Sequence, residues 1–182
     1  MKQPSGPVSM MVDVSRLPAK GIVVKLEADA RQRAALAEMH ALQAVEAFRF
    51  ELRVSPWKRE GARVSGAVKA KITQTCVLSL DPVEAAIEED IEALFVPERS
   101  RLASDRSRAG EILLDAEGDD APETFQGSKI DVGAVAEEFF ELAIDPYPRR
   151  PDAELPDNAD VEGGGLDRRQ PFAKLGSLVR KR

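Results

Sequence analysis

The sequence has very few residues of the kinds that build thiol and metal sites. Its 182 residues include one cysteine, Cys76, and one histidine, His40. A single cysteine excludes a disulfide within the chain. One cysteine and one histidine also cannot supply the four ligands of a structural zinc site. We therefore expect no metal and no other cofactor.

Long apolar runs and a positive net charge are absent as well. No stretch reaches the roughly 18 apolar residues that a membrane-spanning helix needs. Residues 1–21 lack the apolar core of a secretory signal, so we expect a cytoplasmic protein. The net charge of −6 disfavours a general nucleic-acid coat protein, although it leaves room for a local basic face.

Sequence signatures of catalysis are also missing. We find no Gly-rich phosphate loop between a strand and a helix, and no Gly-x-Ser-x-Gly sequence. Cys76 would need a histidine base to act as a nucleophile, and nothing in the sequence places His40 beside it. We therefore expect no catalytic residues, and a redox or metal enzyme acting through Cys76 is the weakest hypothesis.

Alternation of apolar and polar residues predicts the strands. In residues 45–54, Phe48 and Phe50 alternate with Arg49 and Glu51, which is the pattern of a sheet with one solvent-exposed face. Residues 63–72 alternate in the same way after a short basic loop. The two runs predict an antiparallel hairpin, and residues 10–14 and 21–27 predict shorter strands.

Capping residues predict two helices. Asp29, with Gln32 three residues later, has the spacing of a capping box, and Asp131 begins the second helix. The second helix carries an apolar stripe made of Val132, Val135, Ala136, Phe139 and Leu142. Residues 83–96 fit either a strand or a helix, and their alanines and glutamates favour the helix. We interpret His40 as a surface or capping residue, since no partner for it is visible.

Charge is unevenly distributed around the predicted hairpin. Residues 49–71 are basic, whereas residues 81–98 hold seven acidic residues and no basic one. The basic side chains either form a nucleic-acid or ribosomal-protein surface, with Trp57 available for stacking at the tip, or pair with the neighbouring acidic segment across strands. We favour the second interpretation. The candidate binding residues are Arg49, Arg53, Trp57, Lys58, Arg59, Lys69 and Lys71.

A short motif at the boundary between these segments resembles the central motif of the YceD family, the large ribosomal RNA subunit accumulation proteins. In the family the usual sequence of this motif is Cys-x-x-Cys-Leu-Glu-Pro-Val, and this chain has serine at the second cysteine position. Serine is a poor substitute for a thiolate ligand, so a metal or redox role of the pair fails here. We expect a structural turn with Cys76 as a small buried residue. The motif residues are Cys76, Ser79, Leu80, Asp81 and Pro82.

Two further blocks follow in the family's order. Residues 130–148 are similar to its Ile-Asp-Leu helix and the Pro-x-Pro sequence after it. Residues 171–175 match its Pro-Phe-Ala-x-Leu ending. The serine and the Asp-Pro-Tyr-Pro sequence resemble the alphaproteobacterial branch.

The predicted strands and helices indicate an α+β fold, with a mainly antiparallel sheet or partial barrel and two flanking helices. The resemblance implies a strand at residues 83–96. We expect one domain at residues 1–148 with a mobile acidic insertion at 98–129. A flexible tail at 149–182 would contain the short Pro-Phe-Ala-x-Leu helix.

In function, the resemblance implies a non-enzymatic ribosome-biogenesis factor that supports accumulation of 23S ribosomal RNA. Its expected partners are the large-subunit precursor and 23S RNA or a ribosomal protein, with no membrane and no small-molecule substrate. The alternative is an acidic interaction module or chaperone for a basic ribosomal protein, without direct RNA contact.

Overall fold

A computed structural model describes residues 6–100 and 122–153. Within these ranges the chain forms seven strands and two helices. They are β1 (Met11–Asp13), β2 (Ile22–Glu27), α1 (Ala30–Met39), β3 (Ala44–Trp57), β4 (Gly61–Thr75), β5 (Pro82–Pro97), β6 (Glu123–Phe125), β7 (Lys129–Asp131) and α2 (Val132–Leu142).

Five strands form the main sheet, in the order β2-β3-β4-β5-β6, and β1 pairs separately with β7. Neighbouring strands are antiparallel except for β5 and β6, which are parallel. The main sheet is open, with β2 and β6 at its edges in the described part of the chain. These findings confirm the predicted α+β class with a mainly antiparallel sheet and two helices.

The predicted hairpin consists of β3 and β4, which pair from Ala44 opposite Thr73 to Trp57 opposite Gly61. Burial alternates along both strands, as the period-two pattern predicts. The face that carries the apolar residues, here called the inner face, packs against α1 and α2. Phe48 lies at the centre of this core, edge-on to Phe140 of α2 with ring centroids 5.3 Å apart.

Residues 83–96 form most of β5, as the family resemblance implied. The strand pairs with β4 from Thr75 opposite Pro82 to Ala62 opposite Phe95. Pairing places Ile87 and Ile91 on the inner face, where they are buried. This burial outweighs the helix propensity of the alanines and glutamates, because strand preference is decided mainly by neighbouring strands.

Both predicted helix caps are confirmed. Gln32 N donates to Asp29 Oδ1 at 2.8 Å, and Asp29 N donates to Gln32 Oε1 at 3.0 Å, which completes the capping box. Asp131 caps α2 by accepting hydrogen bonds from the amides of Gly133 and Ala134, each at 3.1 Å.

The predicted apolar stripe of α2 is wrong at its end. Leu142 is 77% exposed, whereas Phe140, which the stripe omits, is fully buried. An α-helix has 3.6 residues per turn, so positions 139 and 140 both lie near the continuation of the stripe that begins at Val132. Packing against Phe48 places Phe140 in the core and leaves Phe139 half-buried.

The expectation for His40 is also wrong, although it does occupy the C-cap of α1. Its side chain is only 6% exposed, and Nε2 lies 3.3 Å from Glu137 Oε1 on α2. The ring meets Phe140 edge-on, with centroids 5.4 Å apart. The partner is 97 residues away in sequence, so no local pattern could reveal it.

Several predictions fall on other parts of the chain. Residues 101–121 and 154–182, which include most of the predicted insertion and the Pro-Phe-Ala-x-Leu sequence, lie outside the described ranges. Within the range predicted for the insertion, Glu123–Phe125 form β6 beside the end of β5. The domain boundary at residue 148 stays a prediction.

Candidate functional site

The Cys76 motif forms the turn between β4 and β5. Cys76 N donates to Asp81 O at 2.8 Å, and Leu80 N donates to Cys76 O at 3.0 Å. Cys76 is fully buried, while Leu80, at a positive φ of 63°, is 74% exposed. The structure therefore places one motif residue inside the protein and exposes Ser79, Leu80, Asp81 and Pro82 on the surface.

The segment after α2 holds this turn in place. Val77 N donates to Pro148 O at 2.9 Å, and Arg150 Nη1 lies 3.2 Å from Asp81 Oδ2. The side chain of Gln74, just before the turn, donates to Asp145 O at 2.8 Å. Two blocks that the sequence presents separately thus form one structural unit, which we call the motif junction (residues 74–82 and 145–150).

The motif junction exposes apolar side chains. Leu80 is 74% exposed, Tyr147 69% and Val77 43%. They come from both segments of the junction, which the backbone hydrogen bond from Val77 N to Pro148 O joins. Clustered apolar exposure is typical of a surface that binds another macromolecule.

The Cys76 thiol is surrounded by hydrogen-bond donors. The Ser79 side chain, followed by the backbone amides of Ser79 and Arg150, lowers the pKa of the thiol to about 6. Burial of the thiol opposes this shift, and the Leu78 amide adds a smaller lowering effect. Ser79 N lies 3.4 Å from Sγ. Serine at the family's second cysteine position thus acts on Cys76 as a hydrogen-bond donor, and these donors favour the thiolate form.

This lowered pKa predicts a pH-dependent stability. The pKa is about 6 in the folded protein against an ordinary 9.0, so between these values the unfolded chain binds the proton and the folded protein does not. The contribution is fully present above pH 9 and is lost as the pH falls through 6. We expect the difference in free energy of unfolding between the wild type and Cys76→Ala to grow as pH rises from 6 to 9, measured by urea denaturation. A constant difference would contradict a thiolate at this position.

The outer face of the sheet carries the predicted basic residues, and several are neutralised across strands. Lys69 pairs with Glu88 and Arg63 pairs with Glu92. Lys71 Nζ lies 3.0 Å from Glu84 Oε2, and the hydrogen bond to that carboxylate raises the pKa of Lys71. The favoured interpretation, pairing of the basic strands with the acidic segment, is confirmed for Lys69 and Lys71.

Arg49 and Arg53 lie on the same face but make no ion pair with described residues. Arg53 Nη1 donates to Lys20 O at 3.2 Å, and Arg49 lies directly opposite Lys69 in the strand register. Arg49 and Lys69 line an open groove of 680 Å³ together with Glu51 and Asp90. Since both signs of charge line it, this groove offers no uniformly basic surface.

The hairpin tip holds the remaining candidates, Trp57, Lys58 and Arg59. Lys58 Nζ lies 4.1 Å from the centroid of the Trp57 ring, close enough for a cation–π interaction. The ammonium therefore covers one face of the indole, which leaves less of it for stacking than the sequence suggested. The tip lies at the opposite end of β4 from the motif junction, and a strand of 15 residues is roughly 45 Å long at about 3.3 Å per residue.

The structure and the sequence together define an α+β protein organised around a five-stranded sheet and a cysteine-containing turn. A model of the family described as large ribosomal RNA subunit accumulation protein YceD matches residues 64–179, which is more than half of the chain. The chain belongs to the YceD family. The match covers the motif junction, α2 and almost all of β4.

No curated protein and no solved structure matches this chain. Neither of the two helices in the described ranges has the length and apolarity to cross a bilayer. Among the described residues, no three potential metal ligands cluster together. The family name implies a role in accumulation of large-subunit ribosomal RNA. Membership of the alphaproteobacterial branch stays a prediction.

Proposed function

We propose that this protein is a non-enzymatic factor that supports accumulation of 23S ribosomal RNA by binding the assembling large subunit. The family match over residues 64–179 carries this proposal. The placement of the two most nucleophilic side chains supports a non-catalytic role. Cys76 is fully buried in the motif junction, and His40 contacts Glu137 and Phe140 between the helices.

In this proposal the hairpin tip, rather than the whole hairpin, contacts RNA. Lys69 and Lys71 already have carboxylate partners, and breaking those pairs would offset the gain from a phosphate contact. Lys58 and Arg59 at the tip have no ion-pair partner within the described ranges, and Arg59 is exposed. Cations that have no carboxylate partner can replace the counterions of RNA phosphates, which is the main source of affinity for nucleic acid.

A second candidate function is a protein-interaction module that binds a basic ribosomal protein without touching RNA. The exposed apolar residues of the motif junction favour it, since Leu80 and Tyr147 are 74% and 69% exposed. Asp145 is exposed in the same junction and would attract a basic partner. The two candidate functions therefore use opposite ends of the sheet.

The functional test is sucrose-gradient sedimentation of a lysate, with ribosomal RNA species quantified in a deletion strain. We expect co-migration with large-subunit precursors and a shortage of 23S RNA. Normal ribosomal RNA in the deletion strain and migration only at the top of the gradient would contradict the proposal.

Surface variants then separate the two functions. Leu80→Asn with Tyr147→Ser removes apolar surface at the motif junction, and asparagine tolerates the positive φ of position 80. Lys58→Gln with Arg59→Gln removes charge at the tip. If only the tip variant loses the precursor, RNA contact is supported. If only the junction variant loses association with the precursor, and the purified wild type shows no salt-dependent RNA binding, the protein-interaction function replaces RNA contact.

Release of the outer-face cations gives a further prediction. Changing Glu84, Glu88 and Glu92 together to glutamine frees Lys71, Lys69 and Arg63. We expect stability to change by no more than about 1 kcal/mol per pair, because exposed ion pairs contribute little. RNA affinity, measured by fluorescence anisotropy, should rise and its logarithmic salt slope should steepen by about 2.

The control is a triple glutamine variant at exposed Glu38, Glu138 and Glu141, which changes the net charge equally. Equal effects of both triple variants on RNA binding would show that overall charge, and not the hairpin face, controls affinity.

A further inference from the structure

An opening with both apolar and polar lining residues lies beside the hairpin tip. It measures 580 Å³ and lies between the β3–β4 turn, the end of β5 and the β6–β7 connection. Its apolar lining comes from Val14, Leu17, Pro56, Pro97 and Phe125. A second opening of 520 Å³ shares Pro97 and Phe125 with it. Half-buried Phe125 is therefore accessible from both openings.

Two arginines complete this surface, which we call the tip pocket. Arg59 and Arg99 both line the larger opening. Both are exposed, and neither forms an ion pair or a side-chain hydrogen bond with any residue in the described ranges. Two acidic residues lie nearby. Glu60 lines the larger opening, and Glu98 accepts a hydrogen bond from Gln126 at 2.8 Å.

The contrast with the outer face is informative. There, Arg63, Lys69 and Lys71 each have a glutamate partner on β5. The acidic segment thus neutralises the middle of the hairpin and leaves the arginines at the tip pocket available. Two guanidinium groups beside an opening that exposes the Phe125 ring suit a ligand that has both an anionic group and a flat ring.

We propose that the tip pocket binds an unpaired nucleotide of single-stranded RNA, with Arg59 and Arg99 on its phosphates and the base against Phe125. Unpaired bases stack on aromatic rings in single-strand and loop recognition. Arginine binds phosphate oxygens in a bidentate manner. The volume lies within the range of about 300–1,000 Å³ typical of small-ligand sites. This inference rests on the proposed RNA-related function and specifies which RNA it contacts.

The test is fluorescence anisotropy of the full chain with a labelled single-stranded RNA of roughly 12 nucleotides and with the matching duplex. Arg59→Gln with Arg99→Gln should weaken single-strand binding about tenfold or more and reduce the logarithmic salt slope by about 1.4. Phe125→Leu should weaken binding about fivefold or more through lost stacking, with the salt slope unchanged. Circular dichroism confirms that each variant is folded.

Lys25→Gln with Arg31→Gln is the matched control, because it removes two exposed cations away from the pocket and from the motif junction. Loss of affinity in the pocket variants alone supports the proposal. Equal loss in the control, equal affinity for duplex RNA, or displacement of the RNA by a polyglutamate peptide as efficiently as by unlabelled RNA each overturns it. Unchanged precursor association of the pocket variants in the gradient would reject the tip pocket while leaving the proposed function in place.

Discussion

Gly66→Ala is expected to lower the free energy of unfolding by about 2–5 kcal/mol, which is a large part of the stability of a domain this size. Gly66 lies at the middle of β4 with φ of 153°, and a Cβ there would be 2.1 Å from the carbonyl oxygen of Glu51. The clash is with backbone of the paired strand β3, so no side-chain rotation can relieve it. Urea denaturation followed by circular dichroism and by Trp57 fluorescence measures the effect.

Gly127→Ala provides the control for this prediction. Gly127 also has a positive φ, of 76°, but a Cβ there would meet nothing within 4 Å. We expect a cost of about 1 kcal/mol, from backbone conformation alone. If the two variants were equally stable, the close approach of β3 and β4 at Gly66 would not limit stability.

Asp131→Ala is expected to cost about 2–4 kcal/mol. Its carboxylate accepts hydrogen bonds from the first turn of α2. It also accepts from Met10 N at 2.8 Å and from the Ser9 hydroxyl. The substitution removes a helix cap, worth about 1 kcal/mol, and leaves partly buried donors of the N-terminal segment without partners, which costs about 1–3 kcal/mol more.

Asp29→Ala is the matched variant, because Asp29 caps α1 and, among the described residues, its side chain accepts only from Gln32. It should cost about 1 kcal/mol by thermal or urea denaturation. Asp131→Asn should recover part of the loss, since asparagine is an equally good cap. Equal costs at positions 29 and 131 would show that the bonds to Ser9 and Met10 contribute nothing.

The Asp131 prediction also relates the family motif to the fold. The Ile-Asp block identified in the sequence begins at Ile130, which pairs with Val12 in the small sheet. Asp131 then joins β1, β7 and α2 at one point. Strand pairing and hydrogen bonds within the fold therefore explain the Ile-Asp block. They do not explain the exposed residues of the motif junction, above all Leu80 and Tyr147.

The candidate surfaces were only partly predictable. The sequence indicated Lys58 and Arg59 from the basic loop between two strands. It did not indicate Arg99 or Phe125, since these join the tip only when β6 pairs in parallel with the end of β5. It also gave no sign that Arg150 would contact Asp81, a residue 69 positions earlier.

The sequence by itself determined the local features. Alternation along β3 and β4, the caps at Asp29 and Asp131, and the YceD motifs are readable because each depends on residues a few positions apart. The residue pattern of 83–96 left strand and helix open, and the pairing with β4 decided for the strand. Only the tertiary structure decided that His40 meets Glu137 and which cations are neutralised. These outcomes depend on strand register and on packing between elements distant in sequence, where one position of shift would move every side chain to the opposite face of the sheet.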